Sequence, residues 1–272
     1  MKSTLQQAQQ YPYCSFQYMD LDELTINLDE DIMIDEPGLF ILCQFQESRQ
    51  FIYWSTESKE KFLTGMSKVI DFIHNRLPID KMNLYLEFIH PDFVKGMEEM
   101  GFKIVSEFVD YWNEDITQIN NIRGHSCVIR TINSDEYREA SSITKACRGL
   151  SRGFNGEELD SIREWNESDH SCILVAEMDN EIVGVCLINI YGFESEKGPV
   201  LWLRELAVEP KHQNKGIGSS LIVEGLSWGR SNGAKRSFLA SDVENHNAIK
   251  IYESFGYRRK DKRGQINMGR SI

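Results

Sequence analysis

LWLRELAVEPKHQNKGIGSSLIVEGLSWGRSNG, residues 201–233, decides how this chain folds. It opens on an apolar run, Leu201 to Val208, of strand length and composition. It turns through Glu209-Pro210-Lys211-His212 into a loop, Gln213-Asn214-Lys215-Gly216-Ile217-Gly218, and Ser219 leads into an amphipathic helical pattern. Strand, glycine loop and helix, in that order, build an anion site. The first N–H groups of a helix have no partner within it, and the helix dipole adds partial positive charge there. Gly216 and Gly218 lack a Cβ, so a phosphate can approach the backbone, and Lys215 adds a charge. No Lys-Ser or Lys-Thr follows the last glycine and no G-x-G-x-x-G is present, so neither common nucleotide fingerprint applies.

Working outward, Lys235 to Ser241 reads as a strand and Asn245 to Phe255 as a helix closed by Gly256-Tyr257. Upstream, His125 to Ile132 reads as a strand, and Asp135 to Arg148 as a helix with Ser134 as its N-cap. Glu157 to Trp165 reads as a second helix. SCILVAEM and EIVGVCLINIY are strands joined by a tight turn at Asp179-Asn180, and the chain closes with two strands around Arg263-Gly264. The first half is sparser. Leu39–Phe45 and Phe51–Ser55 are strands with a hairpin at ESRQ, Glu60–Leu77 is a helix ended by Pro78, and Asn83–Ile89 is a strand. A short helix from Pro91 to Gly101 and a strand from Phe102 to Trp112 follow, then a linker, Glu114 to Gly124.

Gln213-x-x-Gly216-x-Gly218 after a strand ending in Leu-Ala-Val, followed by Asn245-x-x-Ala248 and Tyr252-Glu253 ahead of Gly256-Tyr257, resembles the GNAT N-acetyltransferase superfamily. The resemblance covers about residues 125–270. It implies an α/β fold with a mixed, mostly antiparallel central sheet flanked by helices, and acetyl-CoA as cosubstrate. By position, Leu206, Ala207 and Val208 would pair with the pantetheine arm. Backbone amides of Gln213, Asn214, Lys215, Gly216, Ile217, Gly218 and Ser219 would hold the pyrophosphate. Asn245 would contact the pantetheine, and is equally a plain N-cap. Tyr252 would be the general acid for the departing thiolate, a phenol being protonated at neutral pH; the alternative is a core tyrosine. Glu205 would be the general base, or else a solvent-facing strand residue or a partner for Arg204. Glu244 and His246 are weaker contenders, and His170 and His212 are expected at the surface.

Residues 93–102 echo residues 249–257: a short helix closed by glycine plus an aromatic, with Met97 opposite Tyr252. No Gln-x-x-Gly-x-Gly occurs in residues 1–120. The expected division is therefore a degenerate GNAT-like domain, 1–120, without the cofactor loop, and a catalytic domain, 125–272.

Composition bounds the rest. With 41% hydrophobic residues in 272, a packed core is expected. The formal charge of −12 lies wholly in residues 1–120, where 21 acidic residues outnumber 9 basic ones. Such a surface makes nucleic acid an improbable partner. It is either a solubilising face or a border that attracts a cationic amine acceptor. The six cysteines lack metal-ligand or paired spacing, so free thiols and no metal are expected, and no cysteine has the context of a hydrolase nucleophile. No apolar run spans a bilayer and the opening residues lack a signal core, which reads as a soluble cytoplasmic protein, monomer or homodimer. The expected activity is acetyl transfer from acetyl-CoA to a primary amine of a small molecule or peptide. The competing expectation is a catalytically silent CoA-binding sensor or assembly protein.

Overall fold

The computed structural model describes residues 2–22, 24, 26–27, 30–45, 49–76, 83–117, 127–260 and 263–271. The chain forms two compact units, Met1–Glu107 with Arg263–Ile272, and Phe108–Lys262. The division expected from sequence, 1–120 and 125–272, differs in leaving residues 108–120 with the first half and the last strand with the second.

In the first unit, α1 (Lys2–Ala8) and the two-residue β1 (Tyr13–Cys14) precede an antiparallel meander of β2 (Ile32–Glu36), β3 (Leu39–Phe45) and β4 (Gln50–Thr56). Next, α2 (Lys59–Arg76) crosses to β5 (Asn83–Ile89), which runs parallel to β4. A 3-10 turn at Pro91–Phe93 and α3 (Val94–Glu99) lead into β6 (Lys103–Asn113), whose residues from Phe108 on belong to the second unit. Alternation places Ile52, Trp54, Leu84 and Leu86 against Phe62, Met66 and Ile73 of α2, all essentially inaccessible. The ESRQ turn and Pro78 lie partly or wholly outside the described residues.

The second unit continues with β7 (Val128–Thr131), α4 (Tyr137–Ala146), α5 (Leu159–Glu167), β8 (Ser171–Met178), β9 (Glu181–Tyr191), β10 (Val200–Val208), α6 (Ile217–Ser231), β11 (Arg236–Asp242), α7 (His246–Ser254) and β12 (Arg258–Arg259). Its strands run in the order β7-β8-β9-β10-β11 and then residues 108–113 of β6. Only β10 and β11 are parallel. Asp179 and Asn180 both take positive φ, 54° and 64°, the geometry of the tight hairpin their types allow. In α6, Ile217, Leu221, Ile222 and Leu226 are buried at helical spacing over β9 and β10. The mixed, mostly antiparallel sheet flanked by helices is the architecture the motifs implied. Among the described residues no helix is long and apolar enough to cross a membrane.

One local expectation needs correction. Ser134 does not cap α4; it sits in a turn closed by Glu136 N–H to Asn133 O (3.1 Å), and Glu136 takes the cap position without a side-chain cap. The Glu136 carboxylate instead accepts from Arg130 and from the Asn133 amide, which holds it down at about 2, the Arg130 hydrogen bond being the main cause. The two closing strands are present and take separate partners. β12 pairs with β6, whereas β13 (Gln265–Ser271) pairs with β5 and completes the first unit's sheet. The reason is burial: Ile266 and Met268 fill the first unit's core at 0% exposure.

Candidate functional site

β10 and β11 are bonded only over Val200–Trp202 and Arg236–Phe238. Beyond Trp202 they part. β10 stays on β9 to Val208, with a register break between Leu203 and Glu205, and β11 stays on β6 to Asp242. Leu206, Ala207 and Val208 therefore have no strand on their β11 side among the described residues. The opening is a cleft of about 260 Å³. Its walls are Leu206–Val208, the loop at 212–219, the α7 residues Asn247, Ala248, Ile251 and Tyr252, and the loop after α4.

At one end of the cleft the chain enters α6. Asn214 (φ 60°) and Gly216 (φ 83°, ψ −1°) are left-handed, a conformation that glycine adopts without a Cβ clash. The first bond into the helix is Ser220 N–H to Gly216 O at 3.1 Å. The N–H groups of Ile217, Gly218 and Ser219 thus have no helical acceptor and line the cleft mouth. Gly218 is open rather than packed shut, since a Cβ there would meet only Val208 Cγ2 at 3.8 Å and Leu206 Cδ2 at 3.9 Å. Gln213 is turned inward. Its amide N–H donates to Pro210 O (3.3 Å) and its Nε2 to Val208 O (3.0 Å), an oxygen that the Cys147 thiol also reaches at 3.2 Å. Gln213 ties the loop to the strand end. Lys215 is exposed, with Nζ 3.4 Å from His212 Nδ1, and His212 lines the cleft rather than the open surface.

Facing the loop, Asn245 caps α7 by accepting from Ala248 N–H (3.4 Å) and lines the cleft as well. Tyr252 is 9% exposed, and that exposure is to the cleft. Burial is the main cause that raises its phenol above the ordinary value, so it holds its proton throughout the neutral range. No hydrogen-bond partner for that phenol exists among the described residues. Behind it, the Tyr257 hydroxyl donates to Ser237 Oγ (2.6 Å), because Ser237 spends its own proton on Leu201 O (2.9 Å). That bond pins the helix end at the joint of the two strands.

Glu205 follows the register break. Burial pushes its carboxyl up to about 8, and the neighbouring Glu157, which also hydrogen-bonds to it, adds to the rise against the pull of Arg204. Glu157 Oε1 lies 2.9 Å from Arg204 Nη2. Its backbone is clamped to α4 by Thr144 Oγ1 and Ser141 Oγ. The expectation of Glu205 as a plain partner for Arg204 is thus replaced by a three-member cluster. Glu157 carried no sequence signal; only the fold brings it here. Arg152, from the loop after α4, binds the inaccessible Asp242 (3.1 Å) and Glu244 (2.9 Å). Glu244 is therefore engaged, and His246 and His170 are exposed.

The first unit repeats this geometry with the opening filled. β4 and β5 are also bonded over only three register pairs, Gln50–Ile52 with Leu84–Leu86. Past that point β1 lies against β4, pairing Tyr13 with Thr56 and Cys14 with Ser55, and Ser15 N–H donates to Trp54 O (2.8 Å). Trp54 Nε1 donates to Glu87 O (2.9 Å) across the gap. The helix caps match too. Gly101 and Gly256 have φ of 86° and 88°, and the next residue's N–H reaches back to Met97 O and Tyr252 O respectively. Met97, in the tyrosine's place, is buried at 0%. At the start of α2 stands Ser55-Thr56-Glu57-Ser58-Lys59-Glu60, acidic where the second unit has glycines.

Residues 135–257 match the model of the acetyltransferase (GNAT) family. The chain is 32% identical over 111 residues to a mycothiol acetyltransferase of Acidothermus cellulolyticus, covering 36% of this chain and 34% of that one, so it spans about a third of that relative. It is 27% identical over 212 residues to an uncharacterized N-acetyltransferase of Methanocaldococcus jannaschii, covering 75% and 92%. Its fold is similar to a GCN5-related N-acetyltransferase from Sphaerobacter thermophilus, with TM-score 0.64, 14% identity, and 92% and 83% of the two chains covered. A second, from Kribbella flavida, gives TM-score 0.56 at 14% identity, covering 89% and 90%.

Proposed function

We infer, from the match of residues 135–257 to the acetyltransferase (GNAT) family model, that the second unit moves an acetyl group from acetyl-CoA to a primary amine of a small molecule or peptide. One observation carries this reading. The strand edge at Leu206–Val208 that β11 leaves uncovered, the free amides of Ile217, Gly218 and Ser219, and the Tyr252 phenol all face one cleft. An extended amide-bearing arm fits the bare edge, a diphosphate fits the helix mouth, and the two are adjacent along the chain. Asn245 and the backbone of Asn214 and Lys215 border the same path, and Gln213 braces it.

Transfer requires a neutral amine. Its nitrogen attacks the thioester carbonyl carbon, the carbon–sulfur bond breaks, and the sulfur takes up a proton. Tyr252 supplies that proton, because its raised pKa keeps the phenol protonated and nothing else holds it. Glu205 accepts the amine's proton, directly or through water. With a pKa of about 8 it is a stronger base than an ordinary carboxylate, yet mostly protonated at pH 7, so transfer should accelerate as pH rises through 8. The first unit has its own strand and an indole in the corresponding opening, which supports one cofactor per chain. The competing reading, a CoA-binding sensor, has no observation of its own in its favour. Calorimetry with acetyl-CoA followed by thiol-release assays over an amine panel separates the two. One-to-one binding with turnover supports the enzyme; binding without turnover on any amine supports the sensor.

A further inference from the structure

Four aromatic side chains form a row across the second unit's sheet. Trp202 and Phe238 are register partners on the last bonded pair of β10 and β11, and Phe238 is the partner of Trp112 on β6. Their ring centroids lie 6.4 and 5.1 Å apart, and Trp165 of α5 extends the row at 5.7 Å from Trp202. Leu201, Leu203, Leu239, Val109 and Tyr111 pack into the core beneath α6 and α7. Their alternate neighbours, the row, therefore face the other way. On that side α4 and α5 pack on β8, β9 and β10, and all four rings stay half-buried. Part-wet rings on a sheet face offer edges and faces on which another flat ring can stack.

The row has a chemical polarity. At one end Arg204 lies 4.8 Å over Trp165 and pairs with Glu157. Ala207 points into the core on this side, so Glu205, its alternate neighbour, lies on the same side. At the other end two cations flank the last ring. Arg236 lies 5.5 Å and Lys260 5.6 Å over Trp112. Lys260 has Glu114 at 3.1 Å. Arg236 has no ion-pair partner among the described residues. Its Nη2 donates to Gly198 O at 3.3 Å, and its Nε is buried without a partner. Asp110, the acid on this face of β6, is pushed toward the neutral form by burial, with Lys260 opposing. A guanidinium short of acceptors beside flat rings suits a carboxylate or similar anion.

We propose that the row is the bed of the acceptor, which is an amine on an aromatic scaffold ending in an anion, the amine at Glu205 and the anion at Arg236. This rests on the acetyl-transfer reading and adds the acceptor's class. Arg236 is level with Val200, so the two ends are roughly 15 Å apart at about 3.3 Å per strand residue. An extended tetrapeptide has that reach. The probes are Gly-Phe-Phe-Gly with a free C-terminus, the same peptide as its C-terminal amide, and Gly-Ala-Ala-Gly, assayed by thiol release at saturating acetyl-CoA. The aromatic acid should exceed the alanine peptide in kcat/KM by about tenfold or more, and its own amide by about tenfold, the scale of a charged hydrogen bond. Arg236→Gln should erase only the acid–amide difference. Trp202→Leu and Phe238→Leu should shrink only the ring preference, with Tm and acetyl-CoA affinity as controls for folding. Equal turnover of all three peptides, or an acid–amide difference that survives Arg236→Gln, overturns the proposal. If no amine turns over, the transfer reading fails; calorimetric binding of the same peptides then decides the row, the same ranking supporting it and equal or absent binding overturning it.

Discussion

Replacing Gly216 by alanine separates a diphosphate cradle from an ordinary strand–helix turn. Gly216 holds φ 83° and ψ −1°, where an alanine Cβ crowds the following carbonyl at a cost of about 1–2 kcal/mol. The variant has two courses. It keeps the loop and loses that much stability, a fall in Tm of roughly 2–8 °C for a unit of this size. Or it relaxes toward right-handed geometry and turns the Ile217 and Gly218 amides away from the cleft. Losing one hydrogen bond to a charged group costs about 1.5–3 kcal/mol, a rise in Kd of roughly 10- to 100-fold. Gly218→Ala is the contrast. Gly218 is not among the positive-φ residues, and its added Cβ meets neighbours at 3.8 and 3.9 Å, ordinary contact. That variant should bind acetyl-CoA within about threefold of the parent and melt no lower, alanine being the better helix former. The assay is calorimetric titration with acetyl-CoA, beside a thermal melt without ligand. Parent-like melting and parent-like affinity in Gly216→Ala would refute the reasoning, as would equal losses in the two variants.

Tyr252→Phe removes a hydroxyl that has no hydrogen-bond partner among the described residues, so Tm should hold and acetyl-CoA affinity should stay within about threefold. Thiol-release kcat should fall by about 10²-fold, the low end for general acid catalysis; unchanged kcat would retire the assignment. Glu205→Gln should abolish the rise of kcat/KM through pH 8 that the parent shows. It should also raise alkaline stability. The folded carboxyl holds its proton more tightly than the unfolded one, so its contribution is present at acid pH and is lost as pH climbs from the ordinary carboxylate range to about 8. Melts at pH 5 and pH 9 check the sign: the variant's advantage should appear only at pH 9.

The cleft was legible in the sequence because its parts are local. Gly216, Gly218, Asn245 and Tyr252 sit in two short segments that the fold brings to one cleft, and period-2 and period-3.6 patterns placed most of the strands and helices. What escaped depends on tertiary pairing. Nothing in Arg263–Ser271 announces that Ile266 and Met268 fill the first unit's core, so the sequence leaves the last strand with the second half. Ser134 has the right type for a cap, yet Glu136, held by Arg130, takes that position. Glu157 reaches Glu205 only because Thr144 and Ser141 clamp the start of α5. The aromatic row left a faint trace: Trp112, Trp202 and Phe238 each alternate with core residues, but three distant strands must meet in register before it exists. The echo at Gly101 and Gly256 was visible as residues, whereas the filling of the first opening by Tyr13–Ser15 was not, since a two-residue strand has no pattern to read.

The central claim is that the amides of Ile217, Gly218 and Ser219 grip the diphosphate of acetyl-CoA. Calorimetry comparing acetyl-CoA with S-acetylpantetheine, which lacks the diphosphate and nucleotide, tests it most directly. The account predicts one-to-one binding of acetyl-CoA at least about 100-fold tighter, two charged hydrogen bonds sufficing for that. Equal affinity for the two, or no binding of acetyl-CoA, would contradict it.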